Sequence, residues 1–226
     1  MLLALTLLIL LQLWFAGHVA YWVKFNPSST AFMRARLEVM REKNLKLPKA
    51  PHVQLRHQWV DYERISPHLK RAMIAAEDAR FLEHRGFDWD GMQKAWERNR
   101  REGAVVAGGS TISQQLAKNL FLPGKRTYWR KAQEALITVM LEAMMSKQRI
   151  LEIYLNVIEW GDGVFGAEAA ARYHYGTTAA GLSPHQAARL AAMTPSPRRY
   201  GPGANTVYLN HRTAVIHARS RGVQTP

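Results

Sequence analysis

The stretch "AAEDARFLEHRGFD", residues 75–88, gathers Glu77, Asp78, Glu83, His84 and Asp88 behind an apolar run. Carboxylates and imidazoles are the side chains that most readily move protons near neutral pH. Read as one helix, Met73, Ile74, Glu77, Phe81 and His84 share a face at i, i+3, i+4, i+7 spacing, which sets Glu77 among apolar neighbours. Desolvation there raises a carboxyl pKa toward the range useful for proton transfer, and Asp78, His84 and the turn at Gly86 can orient it by hydrogen bonds. The same letters also fit a helix whose acids face water, the commoner use of a charge run.

A second stretch, "GGSTISQQLAKNLF" (108–121), opens with paired glycines and carries Thr111, Gln114, Gln115 and Lys118 along one helical face. Glycines ahead of a helix let the backbone approach a ligand, a helix N-terminus attracts anions, and amides with one lysine suit a hydroxyl-rich, charged substrate. Leu116, Leu120 and Phe121 give the helix a buried side, so a glycine turn before a solvated surface helix fits as well. Farther on, Arg126, Arg130 and Glu134 recur every four residues, so Arg130 can pair with Glu134 on one helix. Such a pair is ordinary on a helix surface. With Lys118, however, the two guanidiniums make a cluster able to neutralise a diphosphate, and Glu134 could orient an arginine or hold a divalent cation bridging phosphates.

These groups need elements to position them. The 226 residues, 47% hydrophobic and 21% charged, suffice for one sizeable core or two joined lobes. The absence of cysteine excludes disulfides and thiolate metal sites. A net charge of +14 favours a negatively charged partner: nucleic acid, an anionic membrane surface or a phosphorylated substrate. Residues 1–23 carry no fixed charge and are long enough to cross a bilayer; the length and the lack of a small-x-small site favour an uncleaved anchor over a signal peptide. Lys24, Arg34, Arg36 and Arg41 follow the span and nothing basic precedes it, which by flanking charge alone puts the rest of the chain in the cytoplasm. Residues 24–58, basic and broken by Pro27, Pro48 and Pro51, read as a stalk with a short helix over 30–43. The folded domain, 59–226, reads as helices over 67–84, 89–100, 111–122, 128–145, 147–158, 166–173, 184–193 and 207–219, giving a mostly α fold. Ser66-Pro67 and Ser183-Pro184 mark two of the starts.

Taken together, "EDARFLEHRG", "GGSTISQQLAKNLF", "RKAQE" and "KQRILEIYLNVIEWGDGVFGAEAAARYHYG" resemble the glycosyltransferase family 51 peptidoglycan glycosyltransferases, in their monofunctional branch. The resemblance covers residues 59 to about 200, with the motifs in the family's order. It implies a lysozyme-like, two-lobed helical domain behind one transmembrane helix, polymerising lipid II on the outer, periplasmic or extracellular face of the cytoplasmic membrane. Glu77 then matches the base on the acceptor hydroxyl and Glu134 the residue assisting the diphosphate leaving group. Lys118, Arg126 and Arg130 match phosphate holders, Asp78, Phe81 and His84 shape the site, and Gly109, Ser110, Thr111, Gln114, Gln115 and Asn119 join them as substrate-binding positions. Implied partners are lipid II, the growing glycan chain, the membrane and other cell-wall synthesis and division proteins, with no nucleic acid. A divalent cation, Mg or Mn, at Glu134 is compatible, and no nucleotide cofactor is expected. Four ordered motifs outweigh the flanking-charge bias, so the domain is expected outside.

"GDGVFG" (161–166) matches G-x-G-x-x-G but follows a helix rather than a strand, so it reads as a turn between helices and not as a dinucleotide site. His52 and His57 lack zinc-ligand spacing. A lysozyme-like hydrolase would use Glu77 as an acid but would leave Lys118, Arg126 and Arg130 without a task. A membrane-tethered nucleic-acid-binding protein would use the charge, but the cations are scattered and no binding motif is present.

Overall fold

The computed structural model describes residues 2–45, 53–104, 108–125 and 127–226, among which ten α-helices and one small sheet occur. In chain order these are α1 (Leu2–Trp22), α2 (Ala31–Asn44), β1 (Arg56–His57), α3 (Pro67–Glu77), α4 (Trp89–Glu102), α5 (Ile112–Phe121), α6 (Tyr128–Met144), α7 (Lys147–Val157), β2 (Glu159–Gly161), β3 (Val164–Phe165), α8 (Ala167–Tyr175), α9 (Pro184–Met193) and α10 (Val207–Ser220). The fold is mostly α, as the periodicity indicates. Ser66 and Ser183 cap α3 and α9 with proline at the first helical positions, and Ser183 with Gln186 forms a reciprocal capping box.

Two helix groups carry the site. Helices α3, α9 and α10 pack on one another, and α5 packs against α6 and α7. One apolar cluster joins the groups, running from Met73, Ile74 and Phe81 through Leu116 and Leu120 to Ile137, Leu141 and Tyr154. Helix α1 is long and apolar enough to cross a membrane, with a mean hydropathy of 2.0. Its C-terminal half packs against α5 and α6: Phe15 meets Phe121 at the end of α5 edge-on, Trp22 lies tilted against the same ring, and Gln12 donates to Gln133 of α6 at 3.2 Å.

Residues 24–58, expected as a stalk, hold α2 and β1, and both are joined to the folded unit. Met33 of α2 is buried, and the buried Arg36 donates to Glu159 at 3.2 Å and pairs with Asp162. β1 adds to the sheet in the order β1-β3-β2, parallel to β3, while β2 runs antiparallel to β3 with a bulge between Glu159 and Gly161.

The 161–166 glycines therefore belong to a β-hairpin between α7 and α8 rather than to a plain turn. Its strands, two and three residues long, are too short to show an alternation in sequence. Gly166, at φ 83°, lies so close to the Asn156 carbonyl that a Cβ would meet its oxygen at 2.8 Å. His57 contacts that same carbonyl oxygen at 3.1 Å; His52 lies outside the described residues.

Candidate active site

Helix α3 ends at Glu77, seven residues short of the expected His84. Asp78 leaves helical geometry at φ −160°, ψ 72°, because its carboxylate is recruited elsewhere. One oxygen accepts from the Ile112 amide at the start of α5 (3.0 Å), and the other accepts from His84 Nε2 (2.9 Å). The Gly86 amide donates to His84 Nδ1 at 3.1 Å, which assigns the ring proton to Nε2. The Thr111 hydroxyl donates to the Gly86 carbonyl at 2.7 Å, closing the 78–86 turn onto α5. Phe81 is fully buried by this turn, not by a helical face. Asp78 and His84 thus hold the scaffold beneath Glu77, a carboxylate-to-amide link that helix periodicity cannot reveal.

Glu77, the last residue of α3, lies between Gln115 of α5 and Arg212 of α10. Its Oε2 accepts from Gln115 Nε2 at 2.9 Å, while its buried Oε1 takes no hydrogen bond and faces Arg212 Nη2 of α10 at 4.0 Å. Burial pushes the Glu77 carboxyl up; the Gln115 hydrogen bond and the charges of Arg212 and Lys118 draw it part of the way back, and Asp78 adds to the rise. A cavity of about 230 Å³ opens beside it, lined by Glu77, Asp78, Asp88, Met92, Gly109, Ser110, Thr111 and Arg219 among others. Gly109 lets this wall close up, since a Cβ there would stand 3.3 Å from the Met92 Cα of α4.

The polar stripe expected on α5 divides by task. Thr111 and Gln114, both buried, form the capping box that starts the helix. Gln115 donates to Glu77, the charge of Lys118 acts on the same carboxylate, and Asn119 donates to the Gln115 carbonyl at 2.8 Å.

On α6, Arg130 and Glu134 lie a turn apart, but the expected pair between them does not form. Arg130 donates to the Leu122 carbonyl at 3.3 Å, satisfying the C-terminal end of α5, and its buried Nε has no hydrogen-bond partner among the described residues. Glu134, also buried, pairs instead with Lys131. Arg126 lies outside the described residues. Among the described residues no three metal-ligating side chains converge, and the Glu134 carboxylate is already paired. A divalent cation there would have to draw its remaining oxygens from substrate phosphates and water.

The family model described as Transglycosylase matches residues 45–221. The chain belongs to this family. A biosynthetic peptidoglycan transglycosylase of Methylobacillus flagellatus is 60% identical over 226 residues, covering 100% of this chain and 96% of that protein. Those of Nitrosospira multiformis and Laribacter hongkongensis are 60% identical over 215 residues and 59% over 222, covering 95% and 98% of this chain and 91% and 95% of those proteins.

Three residues that sequence reasoning passed over also reach the site: Tyr154 of α7, whose hydroxyl donates to Gln115 at 2.9 Å, and Arg212 and Arg219 of α10. Tyr154 lies within "EIYLN" and looks like any core aromatic, although a buried tyrosine hydroxyl needs a partner. The two arginines stand seven apart on one helical face, a spacing with no chemical signature until α10 packs on α3.

Proposed function

We propose that this enzyme polymerises lipid II into glycan strands, with Glu77 as the base. The observation that carries the assignment is Glu77 Oε1, a desolvated carboxylate oxygen free of hydrogen bonds beside a cavity. As the acceptor sugar hydroxyl attacks the anomeric carbon of the lipid-linked donor, its proton passes to Glu77, the new glycosidic C–O bond forms, and the C–O bond to the diphosphate breaks. The leaving group departs with concentrated negative charge, and among the described residues Lys118, Arg130 and Lys131, the last held by Glu134, supply positive charge to meet it. A divalent cation, where one binds, would supplement that charge at Glu134.

The proposal extends to location. Helix α1 spans the cytoplasmic membrane and the catalytic helices work at its outer face, where a lipid-linked substrate is met without leaving the bilayer. Exposed Tyr128, Trp129, Leu136 and Val139 on α6, beside α1, give the domain an apolar side suited to that interface.

Labelled lipid II supplied to the detergent-solubilised protein is expected to yield long glycan and free polyprenyl diphosphate. Glu77→Gln, which keeps size and hydrogen bonding but takes no proton, should lower turnover by roughly 10² to 10⁴ while still binding substrate. Near wild-type polymerisation by Glu77→Gln overturns the base assignment, and cleavage of preformed glycan with no polymer overturns the reaction.

A further inference from the structure

Glu77 owes its orientation to a neutral side chain that is itself held. The Gln115 amide nitrogen donates to Glu77 Oε2 at 2.9 Å and lies 3.4 Å from the Ser110 carbonyl oxygen, and both of these accept only. The amide must therefore turn its N–H₂ toward them, which leaves its oxygen facing Tyr154. That oxygen accepts from the Tyr154 hydroxyl at 2.9 Å. Tyr154 is fully buried on α7, a helix that packs directly on α5. The other groups facing Glu77 are charged: Arg212 from α10, Lys118 from α5 and Asp78 from the end of α3. These set the field at Glu77, while the Gln115 amide fixes its direction.

We propose that Tyr154 is a positioning residue for glycosyl transfer: by donating to Gln115 Oε1, its hydroxyl locks the amide with its N–H₂ on the carboxylate of the base. The inference rests on the reading of Glu77 as base and adds to it a relay running from α7 through α5 to α3. The relay has one direction. Tyr154 is the donor here because the amide oxygen facing it can only accept, and burial, which pushes its phenol well above the usual range, keeps the proton in place. Without the hydroxyl, the half-buried Gln115 loses the protein donor to its Oε1, the amide loses its fixed rotamer, and Glu77 loses part of the bond that favours its charged form.

Tyr154→Phe retains the packed ring and tests the relay. Polymerisation of labelled lipid II is expected to fall in kcat by roughly 5- to 30-fold at neutral pH, the equivalent of one or two kcal/mol, with KM little changed. Because Gln115 draws the Glu77 carboxyl down, weakening its grip lets that carboxyl rise, so the acidic limb of the pH–rate profile should move upward by up to about one pH unit. Gln115→Met removes the amide without touching the buried ring and should move the limb the same way, and adding Tyr154→Phe to it should change nothing further. A merely structural tyrosine would lower the melting temperature and leave the limb in place. An unmoved limb in either single variant, or additive effects in the double variant, overturns the proposal. Glu77→Gln run alongside separates the cases: if it polymerises near the wild-type rate, the base reading itself falls, whereas an inactive Glu77→Gln beside an unshifted Tyr154→Phe removes the relay alone.

Discussion

Glu77 and Glu134 are the same residue type, both nearly out of solvent at 13% and 5% side-chain exposure, yet their surroundings suit them to opposite tasks. Glu77 touches a neutral amide, keeps its nearest guanidinium at 4.0 Å and has one oxygen bare. Glu134 has the ammonium of Lys131 directly on it. A desolvated carboxylate with a free lone pair gains by taking a proton; one capped by a cation holds that cation in place. Burial alone therefore does not nominate a base. The partner does, and a neutral partner leaves the proton-accepting capacity in place.

The strongest way to break this contrast is to neutralise both acids in turn. Glu77→Gln should lose roughly 10² to 10⁴ in turnover by the lipid II assay, the range for a missing general base. Glu134→Gln should lose less, roughly 10- to 10²-fold, because Lys131 remains to meet the leaving group, and its acidic limb should stay where the wild type has it. As the proposed base, Glu77 must be ionised to work, and burial raises its carboxyl, so wild-type activity should fall on acidification above the ordinary carboxylate range. Glu83, exposed and paired with Arg80 at 2.7 Å, is the control: Glu83→Gln should stay within a few-fold of wild type. A Glu134→Gln profile whose acidic limb moves as far as the Glu77 environment requires would reverse the two roles.

A finer contrast separates the lysines. Lys118 draws the Glu77 carboxyl down, so Lys118→Ala should cost about 10²-fold in turnover and shift the acidic limb upward. Lys131→Ala, acting through Glu134, should lower turnover with the limb unmoved. Equal limb shifts in both variants would merge the two ends of the site into one electrostatic unit.

Much of this was legible in the sequence, and the illegible part has a common cause. Helix positions followed from 3.6-residue periodicity and from Ser-Pro caps, whereas Lys118, grouped in the sequence with Arg126 and Arg130, exerts its charge on Glu77, the carboxylate that Gln115 binds. The reading of 67–84 as one helix failed because Asp78 binds an amide 34 residues away, and a long-range hydrogen bond outweighs local spacing. Arg130 missed Glu134 for a similar reason, its guanidinium being taken by the Leu122 carbonyl. Tyr154 and Arg212 were invisible because their chemistry exists only once α7 and α10 dock: Tyr154 stands between the core residues Ile153 and Leu155, and Arg212 among the polar residues of an exposed helix side.

The smallest expected effect compares the helix caps beneath the two acids. Thr111 starts α5 under Glu77: it is buried, accepts from the Gln114 amide at 3.2 Å and donates to the Gly86 carbonyl at 2.7 Å. Thr127 starts α6 ahead of Glu134: it is exposed and, among the described residues, accepts from the Arg130 amide alone, at 3.2 Å. Removing a threonine cap costs about 0.5–2 kcal/mol, with exposed caps at the low end. Thr127→Ala should therefore lower the melting temperature by only about 1–3 °C, given roughly 2–4 °C per kcal/mol at this chain length. Polymerisation should stay within about two-fold, since Arg130 is still tied to Leu122 and Lys131 to Glu134. Thr111→Ala should cost more on both measures, because it also opens the 78–86 turn that supports Glu77. Calorimetry with the lipid II assay on the two variants reads the difference. Equal losses would mean that the Glu77 end is no more tightly preorganised than the Glu134 end, and the contrast between a fixed base and a charge-holding partner would lose its structural basis.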